Sequence, residues 1–115
     1  MIYAAPLKMK KLDSAITKVF GKAKYFGIYN DETNEIEIIE NKNPGGPAIF
    51  AQLIDKEVDV VLTPHAGPGA VKGAMQSGIK LYYCGEDRKL LLEAVKEFQE
   101  GKYVEITPKN YHNFH

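Results

Sequence analysis

The chain has 115 residues, of which 44% are hydrophobic, and its fifteen Lys and Arg residues balance fifteen Asp and Glu residues. This length corresponds to one domain of roughly 100–150 residues, and the apolar content excludes a disordered chain. No run approaches the roughly 20 apolar residues of a transmembrane helix, so no membrane association is expected, and the balanced charge argues against nucleic acid as a partner.

The first half of the chain predicts a strand, a short helix and a hairpin. Residues 2–5 form an apolar run that is typical of a short buried strand. After a lysine-rich loop, the aspartate and serine that begin residues 13–20 offer caps for a short helix. Residues 24–30 and 35–40 are separated by turn-forming residues, and they predict an antiparallel hairpin.

The second half alternates helices and strands after a Pro/Gly-rich loop at residues 43–47. The predicted elements are a helix over residues 48–56, a strand over 58–63, a helix around 70–75 that Gly78 ends, a strand over 79–84, a helix that Asp87 caps and Gly101 ends, and a possible short strand at 103–106. Strand–helix–strand units at this spacing form parallel sheets. The sequence therefore predicts an α/β fold with a mixed sheet of about five strands and helices on both faces.

Candidate ligand-binding residues follow from the rule that open α/β sheets bind ligands beyond the carboxyl ends of parallel strands. One predicted strand leads into a loop with His65, Gly67 and Gly69, and the next strand ends at Cys84. Free N–H groups at the start of the following helix favour an anion, and the glycines allow it to approach closely. The loop after the first strand is expected at the same rim, and its candidate contacts are Lys8, Met9, Lys10 and Lys11.

Each of these residues also has an interpretation without a ligand. His65 could be a loop histidine bonded to the backbone, Cys84 a small buried apolar residue, and the lysines a solvated loop. The glycine pattern is neither a P-loop nor a dinucleotide fingerprint. Enzyme templates fit poorly, because no adjacent Asn or Asp would orient a Cys–His pair, and one cysteine with three scattered histidines gives no zinc-site spacing.

Several segments together resemble the dinitrogenase iron–molybdenum cofactor biosynthesis family in the order and spacing of its motifs. Residues 13–26 are similar to its signature D-S-x-V-S-x-x-F-G-x-A-x-Y-F, and residues 58–70 to its segment V-D-V-V-I-T-x-x-x-G-P-x-A. Residues 77–82 match its x-G-I-K-V-Y. The resemblance extends over residues 1–105, as one domain, and leaves residues 106–115 as a C-terminal tail.

The resemblance implies one α/β domain with an RNase H-like topology that carries a cofactor and catalyses nothing. Carrier members bind an anionic, preassembled iron–sulfur or iron–molybdenum type cluster or its precursor, and a cluster-donating or cluster-accepting protein is the implied partner. Such a cluster brings its own sulfides and needs only one or two soft protein ligands, for which Cys84 and His65 are the candidates. Many members have a histidine before the Phe-Gly pair of the signature, where this chain has Val19.

Two alternatives stay open at the level of the sequence. The first is a regulatory domain that binds a small anion or a nucleotide at the same rim. The second is a thiol-dependent enzyme with Cys84 as its nucleophile. The single cysteine excludes an intrachain disulfide. The sequence does not begin with the basic segment and apolar run of a signal peptide. A cytoplasmic protein is therefore expected.

Overall fold

The computed structural model describes residues 1–42 and 48–114, and the predicted loop at 43–47 lies outside these residues. The strands are β1 (Ile2–Leu7), β2 (Tyr25–Asn30), β3 (Glu35–Glu40), β4 (Val60–Thr63), β5 (Lys80–Tyr83) and β6 (Val104–Ile106). The helices are α1 (Ile49–Asp55), α2 (Pro68–Ser77), α3 (Leu91–Gln99) and a final 3₁₀ helix (Tyr111–Asn113). Among the described residues, no helix is long and apolar enough to cross a bilayer.

The six strands form one mixed sheet in the order β3-β2-β1-β4-β5-β6. β1 pairs in parallel with β4, and β4 in parallel with β5, whereas the β2–β3 hairpin and β6 are antiparallel to their neighbours. This arrangement confirms the predicted mixed sheet and the RNase H-like topology, with six strands instead of about five. The carboxyl ends of β1, β4 and β5 consequently lie along one edge of the sheet.

Helices cover both faces of the sheet, as the sequence predicts. On one face, α1 and α2 bury residues such as Phe50 and Val71 against Ala4 and Val61. On the other face, α3 buries Leu91, Ala94 and Val95 against a second apolar cluster. The spacing of these α3 residues is the apolar stripe that the helical period predicts.

The predicted helix over residues 13–20 is wrong. Ser14 does not cap a helix, because its hydroxyl accepts the Met9 N–H at 2.9 Å. Ile16 forms an isolated bridge with Leu7, and the Thr17 N–H donates to the Pro6 carbonyl at 2.8 Å. The segment therefore satisfies its backbone along the end of β1 instead of within a helix.

The predicted start of α3 at Asp87 is also wrong. The Ile16 N–H donates to the Lys89 carbonyl at 2.9 Å, and Ala15 forms a bridge with Leu90. These extended contacts delay the helix until Leu91, where the Glu93 carboxylate accepts the Leu90 N–H at 2.9 Å. The predicted stops are confirmed, since Gly78 and Gly101 both adopt φ of 77°, which glycine accommodates without strain.

The two edges of the sheet differ in length and chemistry. β6 has only three residues. β3 has six, and glutamates occupy both of its ends and its third position. The Gln52 side-chain amide donates to the Glu40 carbonyl at 2.9 Å, so α1 covers one outward-facing carbonyl of β3.

Candidate functional site

A groove of about 290 Å³ opens at the carboxyl edge of the sheet, between the loop before β2 and the start of α2. One wall comes from the loop and the other from the helix, and the lining residues are Val19, Phe20, Gly21, Lys22, Gly67, Gly69 and Ala70. The groove thus joins two segments that are far apart in the sequence.

Local packing explains why these two segments hold the groove open. Phe20 is 4% exposed, and its ring lies 5.3 Å from that of Phe26 and 5.7 Å from that of Phe50. On the helix side, the Val71 N–H donates to the Gly67 carbonyl at 3.1 Å. The N–H groups of Gly69 and Ala70 precede this bond, so by helix geometry they have no partner within α2.

The groove is rimmed by positive charge. A second hollow of about 360 Å³ adjoins it and shares Val19 and Lys22, and Lys8 and Lys24 line this hollow as well. The described residues that line the two hollows include no carboxylate. Three lysines and the positive end of a helix dipole therefore favour an anion here.

β4 and β5 end at the same edge of the sheet, so His65 and Cys84 follow neighbouring strand ends, but His65 does not line the groove. Its Nε2 lies 3.3 Å from Glu86 Oε1, in the loop after β5, and its side chain is 32% exposed. The Thr63 hydroxyl donates to the His65 carbonyl at 2.9 Å. The structure therefore brings His65 to the segment after Cys84, while the imidazole faces a carboxylate.

Cys84 is buried, with 1% of its surface exposed, among the residues that α3 covers. Burial raises the pKa of its thiol to about 12, although the nearby Lys89 acts in the opposite direction. The uncharged thiol is a poor nucleophile, and it would have to lose its proton to bind a metal. Cys84 is not among the residues that line the groove.

A polar cluster lies close to Cys84 on the α3 side. Lys89 Nζ is 2.6 Å from Glu97 Oε1, and the Tyr103 hydroxyl donates to the same oxygen at 2.6 Å. These two hydrogen bonds lower the pKa of Glu97, and burial together with the bond to Glu97 raises the pKa of Tyr103. The cluster is internally satisfied, so it leaves no free charge for a ligand.

The lysine loop is divided between the hollow and solvent. Lys8 lines the second hollow, whereas Met9, Lys10 and Lys11 are exposed at the tip of the loop. Of the predicted contacts, the structure thus places Gly67, Gly69 and Lys8 along the groove and its hollow.

The sequence reasoning missed Val19, Phe20, Gly21 and Lys22 as lining residues. A signal for them was present, because they lie within the first family-like motif and Gly67 to Ala70 lie within the second. Among the described residues, no three His, Cys, Asp or Glu side chains form a group that could hold a metal ion.

The fold and groove define a small α/β protein with a lysine-rimmed groove at the carboxyl edge of its sheet. The chain belongs to the dinitrogenase iron–molybdenum cofactor family, whose family model matches residues 1–101. No curated protein matches the sequence significantly.

Solved structures share this fold over most of their length. The chain is 29% identical to a Thermotoga protein described as a candidate NifB protein of the DUF35 family, with a TM-score of 0.77 over 92% of this chain and 93% of that one. It is 23% identical to the orange protein of Desulfovibrio gigas in its apo form, with a TM-score of 0.79 over 90% and 91% of the two chains. The second likeness concerns the fold alone.

Proposed function

We propose that the protein is a non-enzymatic carrier that binds an anionic iron–sulfur or iron–molybdenum type cluster, or a precursor of one, in the groove between residues 19–22 and α2. The observation that carries this proposal is that the first two of the three family-like motifs, at residues 13–26 and 58–70, line the same groove. Two segments that are far apart in the chain therefore meet at one surface, where a single ligand would touch both. The family to which the chain belongs is named for a metal cofactor.

The chemistry of the groove suits such a cargo. A cluster that brings its own sulfides needs N–H donors, positive charge and few protein ligands. Gly69 and Ala70 offer N–H groups, Lys8, Lys22 and Lys24 offer charge, and Phe20 and Val19 offer an apolar wall.

The predicted metal ligands His65 and Cys84 remain proposals. His65 would have to leave Glu86, and that contact is a single one at 3.3 Å with a half-exposed carboxylate. Cys84 would become accessible to a ligand only if the residues of α3 that cover it moved away. We therefore assign the primary contact to the groove, with His65 the more accessible of the two side-chain ligands.

The groove also supports a carrier rather than an enzyme. Its described lining has no His, Cys, Asp or Glu that could act as an acid, base or nucleophile. A thiol-dependent reaction at Cys84 is disfavoured by the raised pKa of the buried thiol. A carrier requires a protein that donates or accepts the cluster, and the openness of the groove toward solvent would let such a partner reach the cargo.

The same three lysines also support the second candidate, a regulatory domain for a small anion. Metal content separates the two functions. The full chain is produced and purified without oxygen, in cells supplied with iron and molybdate, and its iron, molybdenum, sulfide and visible absorption are measured. A carrier retains metal and sulfide and is brown, whereas a small-anion binder is colourless.

Two charge-reversal variants sharpen this experiment. Lys22→Glu places a negative charge in the groove, and Lys96→Glu makes the same change at an exposed lysine of α3 outside it. The carrier function predicts that only Lys22→Glu loses metal. Metal-free wild-type protein, or equal metal in both variants, would contradict the proposed function.

A further inference from the structure

Residues 107–114, here called the strap, form a hydrogen-bonded segment after β6. The Thr107 N–H donates to Asn110 Oδ1 at 2.7 Å, and Asn110 Nδ2 donates to the Glu105 carbonyl at 3.0 Å. The Tyr111 N–H donates to the Thr107 carbonyl at 2.9 Å and leads into the 3₁₀ helix. Because these bonds fix its backbone, the strap follows a defined path from the sheet edge.

The strap ends against the candidate site. The Phe114 carbonyl accepts the Ala66 N–H at 3.0 Å, and the Phe114 ring lies 4.6 Å from the Tyr83 ring. Tyr83 is the last residue of β5, and Ala66 lies in the loop after β4. Phe114 therefore joins the carboxyl ends of two neighbouring parallel strands.

The loop that the strap contacts links His65 to the groove-lining residue Gly67. His65 precedes Ala66, and Gly67, which lines the groove just before α2, follows it. The Thr63 hydroxyl fixes the His65 carbonyl from one side, and Phe114 fixes the Ala66 N–H from the other. Ala66 itself is 1% exposed. The backbone of the loop is thus set by two hydrogen bonds, one of which comes from the strap.

We propose that Phe114 is a positioning residue for ligand binding: the strap pre-orders residues 64–67, so that His65 and Gly67 are held in place before the ligand arrives. The family match ends at residue 101, so the strap lies beyond the part of the chain that it covers. A loop that is ordered in advance loses less conformational entropy on binding, and this raises affinity. The inference rests on the proposed function for its ligand, but the ordering of the loop is measurable without one.

The test compares Phe114→Ala, the conservative Phe114→Tyr and the control Phe98→Ala in the full chain. Phe98 is a partly buried ring that packs on Tyr3 and Tyr82 on the α3 side, away from the loop. The first readout is the rate at which diethyl pyrocarbonate modifies His65, located by peptide mass. Phe114→Ala keeps the carbonyl that holds Ala66 but removes the ring that anchors it on Tyr83, so the loosened loop should raise the modification rate at least about threefold. Phe98→Ala and Phe114→Tyr should both react at the wild-type rate.

The second readout is the affinity for molybdate, measured by calorimetry. Phe114→Ala is expected to weaken binding about tenfold, and Phe98→Ala to leave it unchanged even where both variants melt earlier. If Phe114→Ala behaves as Phe98→Ala does in both measurements, the positioning role is overturned. If the wild type binds no molybdate but His65 still reacts faster in Phe114→Ala, the anion site fails and the strap's hold on the loop stands.

Discussion

Val19 and Gly69 line the same groove, although one lies in the loop before β2 and the other in the first turn of α2. Val19 is 49% exposed, and the family signature that residues 13–26 resemble has a histidine at its position in many members. The groove therefore presents an apolar side chain where the resemblance implies a metal ligand.

The first prediction restores that ligand. Val19→His should raise the metal retained per chain after anaerobic purification, because an imidazole at the groove adds a direct metal ligand. The control is Val104→His, since Val104 is similarly exposed, at 55%, but lies on β6. A histidine that increased metal equally at both positions would be acting as a surface chelator, and the groove would lose its assigned role.

The second prediction separates the lysines of the hollow from those at the loop tip. Replacing Lys8, Lys22 and Lys24 with Gln should abolish the thermal stabilisation by molybdate, whereas replacing Lys10 and Lys11 should leave it nearly intact. A ligand at 100 times its dissociation constant adds about 2.7 kcal/mol to the wild type. The melts are recorded at constant ionic strength, because general screening affects all exposed lysines. Equal loss in both variants would indicate a diffuse charge effect.

The third prediction uses the open space at Gly69. A Cβ added there meets no atom within 4 Å, and alanine favours a helix over glycine by up to about 1 kcal/mol. Gly69→Ala should therefore fold at least as stably as the wild type and yet bind anions more weakly, because the methyl group fills part of the groove. Parallel thermal melts and molybdate titrations measure the two effects.

Gly73 provides the contrast one turn further along α2. A Cβ at Gly73 would collide with the ring of Phe50, which is 3% exposed in the core. Gly73→Ala should lower the free energy of unfolding by about 1–3 kcal/mol. A stable Gly73→Ala together with a destabilised Gly69→Ala would contradict the packing described for α2.

The alternation of strands and helices in the second half was predictable because each element carries its own periodic pattern and stop signal, such as Gly78. The segment at residues 13–20 was not, because Ser14 and Ile16 are held by Met9 and Leu7, whose proximity depends on the tertiary fold. The groove was predictable only in part for the same reason. Gly67 and Gly69 follow from the strand-end rule, whereas Val19 and Lys22 reach the groove through the packing of Phe20.

The fourth prediction concerns the buried thiol and alkaline pH. The pKa of Cys84 rises from 9.0 to about 12 on folding, so the native state holds the proton more tightly than the unfolded state. The contribution of this thiol to the free energy of unfolding is fully present below pH 9, and it declines as the pH rises toward 12. At pH 10 the wild type should therefore have lost about 1 kcal/mol relative to its stability at pH 8 through this residue alone.

Cys84→Ala isolates this effect, because it removes the titrating group while tyrosines and lysines titrate alike in both proteins. The difference in unfolding free energy between wild type and variant, from urea denaturation, should shrink by about that amount between pH 8 and pH 10. A difference that stays constant would mean that the thiol ionises freely in the native protein, which would return Cys84 to consideration as a ready ligand.

The ends of the sheet bear on how this protein behaves at high concentration. An edge strand with unpaired backbone groups is a template on which another chain can add, and long flat edges promote aggregation. Here β6 is too short to guide such an addition, and β3 carries Glu35, Glu37 and Glu40 with one carbonyl already bonded to Gln52. Two copies that met along β3 would bring like charges together. The sheet thereby discourages its own extension into fibres while leaving its carboxyl edge open.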